Sequence, residues 1–92
     1  MTPYLAHVVV DLPGGRPAEL ADAFMAVDAI VTVKILGTYA ECRIDVEGGS
    51  REAAGRAAID AAEATGLALR VTSVRLQTAA ERTAALAIAM AR

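Results

Sequence analysis

The sequence contains few cysteines and few aromatic residues. Its 92 residues include one cysteine, one phenylalanine, two tyrosines and no tryptophan. The single Cys42 excludes a disulfide within the chain and a zinc site made of several cysteines. HxH, HxxxH and CxxC spacings are also missing, so we predict neither a metal nor another cofactor. The shortage of aromatic bulk argues against a roomy catalytic pocket.

The chain also lacks a large excess of one charge and a long hydrophobic run. Nine Lys and Arg residues against eleven Asp and Glu residues give a net charge of −2, which argues against nucleic acid as a partner because clustered basic residues are needed to contact phosphates. His7, Asp11, Lys34 and Arg70 interrupt the apolar stretches before they reach the about 18 residues of a membrane span. Residues 1–4 do not resemble a signal peptide, and we therefore expect a cytoplasmic protein.

Alanine is the residue that the sequence has in quantity. The hydrophobic fraction is 55%, but 22 of these residues are alanine, so the core must come from the Val, Leu and Ile residues together with Phe24 and Met25. A domain of this length buries only about 60–65% of its unfolded surface, and many small domains pair with a copy of themselves. We therefore predict a homo-oligomer, in its simplest form a dimer.

Hydrophobic patterns and turn residues predict four strands and three helices. Strand segments are rich in β-branched residues, helical segments carry apolar residues every three or four positions, and Gly or Pro separates most elements. Gly37-Thr38 joins two strands as a β-hairpin, and Ser50 offers an N-cap for the second helix. The predicted elements are a strand over 4–12, a helix of about eleven residues with Pro17 in its first turn, strands over 30–36 and 39–46, a helix from 51 to the turn at 65–66, a strand over 67–76 and a helix over 79–92.

An internal repeat indicates how these elements are arranged. Residues 4–16 and 39–51 both run from a tyrosine through a β-branched strand and a Gly-Gly pair into a helix. Two strand-helix-strand units in series predict the α+β class and a ferredoxin-like βαββαβ sandwich, with a four-stranded antiparallel sheet that carries both helices on one face. We assign residues 1–78 to this domain. Residues 79–92 form a C-terminal helix that docks on the open sheet face or on a partner subunit.

The sheet face without helices collects the polar candidates. Alternation places every second residue of a strand on this face, and the first and third strands are neighbours in the usual 4-1-3-2 order. The candidate residues of this open face are His7, Tyr39, Glu41, Arg43 and Asp45. They form a binding surface, a dimer interface, or a solvated sheet surface with weak cross-strand ion pairs.

The turn after the first strand is the second candidate site. Backbone N–H groups and the positive end of the following helix would lie near an anionic ligand there. The pattern GxxxxGK[ST] is missing, which argues against a nucleotide-binding loop, so a carboxylate ligand is the better match. The candidate ligand-binding residues are Asp11, Gly14, Gly15 and Arg16.

His7 and Cys42 are the only residues of the chain that could combine as a base and a thiol nucleophile. Alternation places them on opposite faces of the sheet, where they cannot meet. We therefore assign no catalytic residues and expect Cys42 to be a buried core residue.

Two motifs resemble a known family. The segment Asp11-Leu-Pro-Gly-Gly-Arg-Pro-Ala-Glu-Leu20 resembles the Asp-x-Pro-Gly-x-Leu region of ACT domains. The hairpin Val33-Lys-Ile-Leu-Gly-Thr-Tyr-Ala-Glu-Cys-Arg-Ile44 is similar to that of the ligand-sensing domains of Lrp/AsnC-type regulators. The resemblance covers residues 4–76 and implies a βαββαβ domain that pairs through its sheet and binds amino acids or similar effectors at subunit interfaces.

These observations favour a non-catalytic, homo-oligomeric regulatory module that binds an amino-acid-like or other anionic metabolite, or a protein partner. One alternative is a small dimeric α+β barrel enzyme, such as an isomerase or a cofactor-independent oxygenase, with His7, Tyr39, Arg43 and Asp45 as its polar groups. The other is a scaffolding subunit that assembles through the sheet edge or through residues 79–92.

Overall fold

In the computed structural model, helices and strands follow one another in the predicted order. The structure describes residues 1–12, 17–67 and 69–90. The α+β class and the four-stranded antiparallel sheet are confirmed. The elements are β1 (Thr2–Asp11), α1 (Pro17–Met25), β2 (Ile30–Leu36), β3 (Tyr39–Gly48), α2 (Arg51–Glu63), β4 (Arg70–Thr78) and α3 (Ala79–Met90).

The sheet has the strand order β2-β3-β1-β4, and all three neighbouring pairs are antiparallel. β1 and β3 are therefore adjacent, as predicted. The predicted hairpin joins β2 to β3, and Gly37 in its turn has a φ of 70°. Glycine adopts this left-handed conformation at no steric cost, which permits the tight connection.

One face of the sheet carries the core. Burial alternates along β1 and β3 as predicted, and Phe24 and Ile44 are the largest side chains that are fully buried. α2 contributes Ala54, Ala58 and Ala62, all without exposed surface. Because alanine has a short side chain, α2 approaches the sheet closely, and alanines replace the bulk that the composition lacks.

α1 departs from the prediction in its length and in its last residue. It has nine residues, not about eleven, because the chain turns after Met25 and the backbone N–H of Val27 donates to the carbonyl of Phe24 at 3.2 Å. Met25 was expected in the core but is 53% exposed. Phe24 faces the sheet, and its neighbour at the end of the helix is therefore directed outwards.

The connection from β3 to α2 requires glycine at one position. A Cβ on Gly48 would lie 2.6 Å from the backbone nitrogen of Ala54, which is closer than atoms can pack. Two residues later, Ser50 is the predicted N-cap, and its hydroxyl accepts a hydrogen bond of 3.1 Å from the N–H of Ala53. Strand and helix are thus joined by a compact turn.

β4 is shifted towards the C-terminus relative to the predicted strand over 67–76. It lies at the edge of the sheet beside β1, which ends at Asp11 opposite Arg70, and the described strand therefore begins at Arg70. At its other end, pairing continues to Thr78. The register shifts between Val9 and Val10, which marks a β-bulge, an extra residue that reverses the alternation of faces along β4.

α3 begins directly where β4 ends. The hydroxyl of Thr78 accepts a hydrogen bond of 3.1 Å from the N–H of Glu81. Arg51, at the start of α2, donates to the carbonyl of Leu76 at 3.2 Å and to the carboxylate of Glu81, and its guanidinium lies 5.6 Å from the ring centroid of Tyr4. The first turn of α3 is thereby held at the end of the sheet.

Beyond this turn, α3 is little covered. All its residues from 79 to 88 are exposed, although its length and composition make it a marginal helix in isolation. Among the helices in the described part of the chain, none has both the length and the hydropathy that a membrane crossing needs.

Candidate functional site

The register places the five residues predicted for the open face on the side of the sheet away from α1 and α2. None of these residues is buried. They form a continuous surface on β1 and β3 because neighbours across two strands point to the same face. The pairs of this face are Asp11 with Tyr39, Val9 with Glu41, His7 with Arg43 and Leu5 with Asp45.

Three nitrogen-rich side chains lie in one row across the open face. His7 of β1 is directly opposite Arg43 of β3 and directly opposite Arg75 of β4. Neighbouring strands are about 4.8 Å apart, so the backbones of Arg43 and Arg75 flank that of His7 at this spacing. Arg43 and Arg75 are thus about 10 Å apart, with His7 between them. The row brings two guanidinium groups and one imidazole to one part of the open face.

Arg75 is a site residue that sequence reasoning missed. Five positions separate it from Arg70, and strict alternation would place two such residues on opposite faces. Both lie on the open face because the bulge between them adds one residue, and the Thr72 hydroxyl there donates to the Val9 carbonyl at 3.2 Å. Nothing in the sequence marks the position of this bulge.

A groove of about 590 Å³ lies between the open face and α3. We call it the arginine groove because Arg82 of α3 lines it together with Arg43 and Arg75 of the sheet. Its apolar lining comes chiefly from one leucine on each side. The residues that define it are Leu5, His7, Arg43, Arg75, Arg82 and Leu86.

The acidic side chain that lines the arginine groove already has partners outside the groove arginines. Glu81 also lines the groove, but its carboxylate pairs with Arg51 and accepts a hydrogen bond of 3.2 Å from the hydroxyl of Thr78. The hydrogen bond from Arg51 is the main reason that the pKa of Glu81 lies below the usual glutamate value. Glu81 therefore positions α3 instead of neutralising the groove arginines.

His7 also has an acidic neighbour on β3, Glu41. Its Nε2 lies 3.9 Å from Oε2 of Glu41, and both side chains are more than one third exposed. Ion pairs with this exposure contribute little to stability. Among the side chains that the structure describes, neither Arg43, Arg75 nor Arg82 forms an ion pair.

The turn predicted to bind a ligand is described only at its first residue. Asp11 is exposed at the end of β1, where it faces Tyr39 on one side and Arg70 on the other. Gly14, Gly15 and Arg16 lie outside the described residues. That candidate ligand site stays a prediction.

Cys42 lies on the core face, opposite to His7, as alternation predicts. It has no exposed surface, and burial raises the pKa of its thiol to about 11. The thiolate is the reactive form of cysteine, so this side chain is a small apolar core residue in its present environment. Within residues 1–12, 17–67 and 69–90, no cluster of three or more His, Cys, Asp or Glu side chains could hold a metal ion.

Comparison of the sequence with protein families and with curated proteins gives no relative for this chain. No protein-family model matches the sequence, and no curated protein matches it either. Function is therefore argued from the open face, α3 and the groove between them.

Proposed function

We propose that the chain is a ferredoxin-like, ACT-like module that acts in the cytoplasm as a homo-oligomer, binds a small anionic metabolite at its subunit interface and regulates another protein without catalysis. The antiparallel sheet with β1 and β3 in its centre is compatible with this arrangement. α1 and α2 cover one face, and α3 covers only part of the other, which leaves the remainder of that face available to a second copy.

The observation that carries the proposal is the amount of surface that the single chain exposes. The exposed area is 5884 Å², whereas a compact monomer of 9.5 kDa exposes about 5,000 Å². The excess, about 900 Å², is close to the about 800 Å² that one partner contributes to a typical stable protein interface. The radius of gyration, 13.8 Å, also exceeds the about 12 Å of a compact domain of this length.

Part of the exposed apolar surface lies on α3 and the open face. Leu86 and Ile88 of α3 are 56% and 61% exposed, and Tyr39 of the open face is 40% exposed. A second copy is the simplest occupant because a two-fold axis would cover α3 and the open face of both chains in one isologous contact. The half-buried Leu5 and Val9 would add apolar area to this contact.

The two alternatives have less support. A barrel enzyme of this topology needs a pocket between the sheet and the helices α1 and α2, and in the described residues that space is filled by the core side chains, chiefly Phe24, Ile44, Val8 and Val10. A scaffolding subunit would also use α3, but for a different protein. Its distinguishing property is that the purified chain would be monomeric.

Light scattering coupled to size-exclusion chromatography tests the proposal. We expect the full chain to have twice the monomer mass or a higher multiple. Ile88→Glu, on α3 but outside the groove lining, should shift it to the monomer because burying an unpaired charge in the interface is costly. Met25→Glu is the matched control, since Met25 is similarly exposed, at 53%, but lies on the helical side. A monomeric full chain would rule out the homo-oligomer and favour the scaffolding subunit.

The ligand part of the proposal has a separate readout. A panel of amino acids and organic acids should include compounds that raise the thermal unfolding temperature of the full chain, because a ligand that binds only the folded state stabilises it. If no member of the panel changes that temperature, a metabolite-binding role is excluded at the concentrations used.

A further inference from the structure

We propose that the arginine groove binds a small organic polyanion, a molecule with at least two negative charges on carboxylate or phosphate groups. The inference rests on the proposed ligand-binding module and gives it a site different from the Gly-rich turn after β1. The groove would receive one anionic group at the sheet, between Arg43 and Arg75, and another at α3, beside Arg82.

The first argument is the concentration of unpaired positive charge in an acidic protein. The chain has nine Lys and Arg residues and a net charge of −2, and three of the nine line one groove. Of the other arginines in the described residues, Arg51 and Arg56 pair with carboxylates, and Arg70 is opposite Asp11 of β1. A bound anion would offset the positive charge that Arg43, Arg75 and Arg82 bring together.

The second argument is the chemistry of the charged groups. Arginine presents a planar fork of N–H donors that matches carboxylate and phosphate oxygens in pairs, and it stays charged at every physiological pH. Arginines on two strands and one helix approach the groove from different directions. This arrangement suits separate anionic groups of one molecule better than a single ion. The Gln77 amide, also in the lining, adds a neutral donor and acceptor.

The third argument is size and lining. A volume of about 590 Å³ lies within the range of small-molecule sites, about 300–1,000 Å³. Leu5 on the sheet and Ala85 and Leu86 on α3 provide apolar contacts for a short carbon skeleton. Four acidic residues share the open face. Asp11 and Glu47 lie at its two ends, Glu41 lies beside His7 and Asp45 is opposite Leu5. Among the side chains that the structure describes, none of the four forms an ion pair with a groove arginine.

Isothermal titration calorimetry of the full chain tests the site with three probes, namely citrate, inorganic phosphate and acetate, at one fixed ionic strength. We expect citrate or phosphate to bind and acetate to bind at least tenfold more weakly. Citrate as the tighter probe identifies a polycarboxylate site, and phosphate as the tighter probe identifies a phosphate-ester site. Equal binding of acetate, or no heat with any probe, overturns the proposal.

Two variants locate the binding. Arg75→Gln and Arg82→Gln should each weaken binding of the tighter probe at least tenfold, and the double variant about a hundredfold, while circular dichroism stays unchanged because both side chains are exposed. The matched controls are Arg56→Gln on α2 and Arg70→Gln at the far end of β4. Both should bind the probe with an affinity within twofold of that of the natural chain. An equal loss in the controls would mean unspecific charge attraction and would overturn the proposed site.

The result is independent of the test of oligomeric state. A dimer that binds no probe would overturn the polyanion site and leave the homo-oligomeric module in place. A monomer that binds citrate or phosphate through Arg75 and Arg82 would retain the site and overturn the homo-oligomer.

Discussion

Consecutive residues of β1 meet two different environments. Ala6, Val8 and Val10 have no exposed surface, whereas His7 and Val9 between them are only partly covered. The first set contacts α1 and α2 through a continuous apolar core. The second set lies beside arginines and carboxylates of neighbouring strands.

The comparison separates two kinds of constraint on one strand. On the core face, side-chain volume decides which residue is tolerated, because interiors are packed as densely as organic crystals. On the open face α3 contacts only parts of β1 and β4, so packing selects fewer residues there. Arg43, His7 and Arg75 lie outside the core, which is why we attribute them to binding and not to folding.

The largest difference between the core face and the open face should appear in the free energy of unfolding that is lost when one aromatic residue of each face is replaced by alanine. Phe24→Ala removes a fully buried ring and should lower the free energy of unfolding by about 3–5 kcal/mol. Tyr39→Ala, on the open face and 40% exposed, should lower it by less than about 1 kcal/mol when measured on the monomer. Urea denaturation followed by circular dichroism measures both. Equal losses would show that the open face is also part of the folding core.

Thiol reactivity should differ between the faces by more than about a hundredfold. Burial raises the pKa of Cys42 to about 11, so at pH 8 only about one thiol in a thousand would be thiolate. The comparison is with Thr32→Cys in a Cys42→Ala background, since Thr32 is exposed and opposite Arg43. The reaction with an aromatic disulfide reagent, followed by absorbance, gives both rates. Similar rates would contradict the closed core.

Two adjacent glycines should respond differently to the same added methyl group. Gly48→Ala would place a Cβ 2.6 Å from the Ala54 nitrogen, whereas nothing lies within 4 Å of a Cβ on Gly49. We expect Gly48→Ala to cost about 1–3 kcal/mol in unfolding free energy and Gly49→Ala to stay within about 0.5 kcal/mol of the natural chain. Thermal and urea unfolding provide the values. A neutral Gly48→Ala would mean that α2 can move away from the sheet.

The core face was predictable from the sequence because burial and strand period determine it together. Alternation along β1 and β3 places Ala6, Val8, Cys42 and Ile44 on the same face of the sheet, and their exposed fractions are all 0%. The hairpin was predictable because Gly37 permits the turn. The prediction that Met25 belongs to the core was wrong. Met25 is the last residue of α1, and the end of a helix is its least regular part, so the helical pattern does not determine the direction of the last side chain.

The arginine groove was predictable only in part. His7 and Arg43 follow from alternation on β1 and β3, but Arg75 depends on a bulge that shifts the register between Val9 and Val10. Arg82 depends on the direction of α3, which is held by contacts between residues far apart in sequence. Sites assembled across such irregularities need three-dimensional information.

The smallest effect concerns the attachment of α3 to the end of the sheet. Arg51 holds the pKa of Glu81 below its usual range, mainly through a hydrogen bond. Because the folded pKa is lower than the unfolded one, this contact contributes at neutral pH and is lost as the pH falls through the folded value. We expect amide-exchange protection factors in the first turn of α3 to decrease in that acidic range.

Two variants assign this decrease to one carboxylate. Glu81→Gln should have lower protection factors at neutral pH and no decrease at acidic pH. Glu63→Gln, exposed at the end of α2, should behave as the natural chain. A decrease that persists in Glu81→Gln would assign the attachment of α3 to another carboxylate.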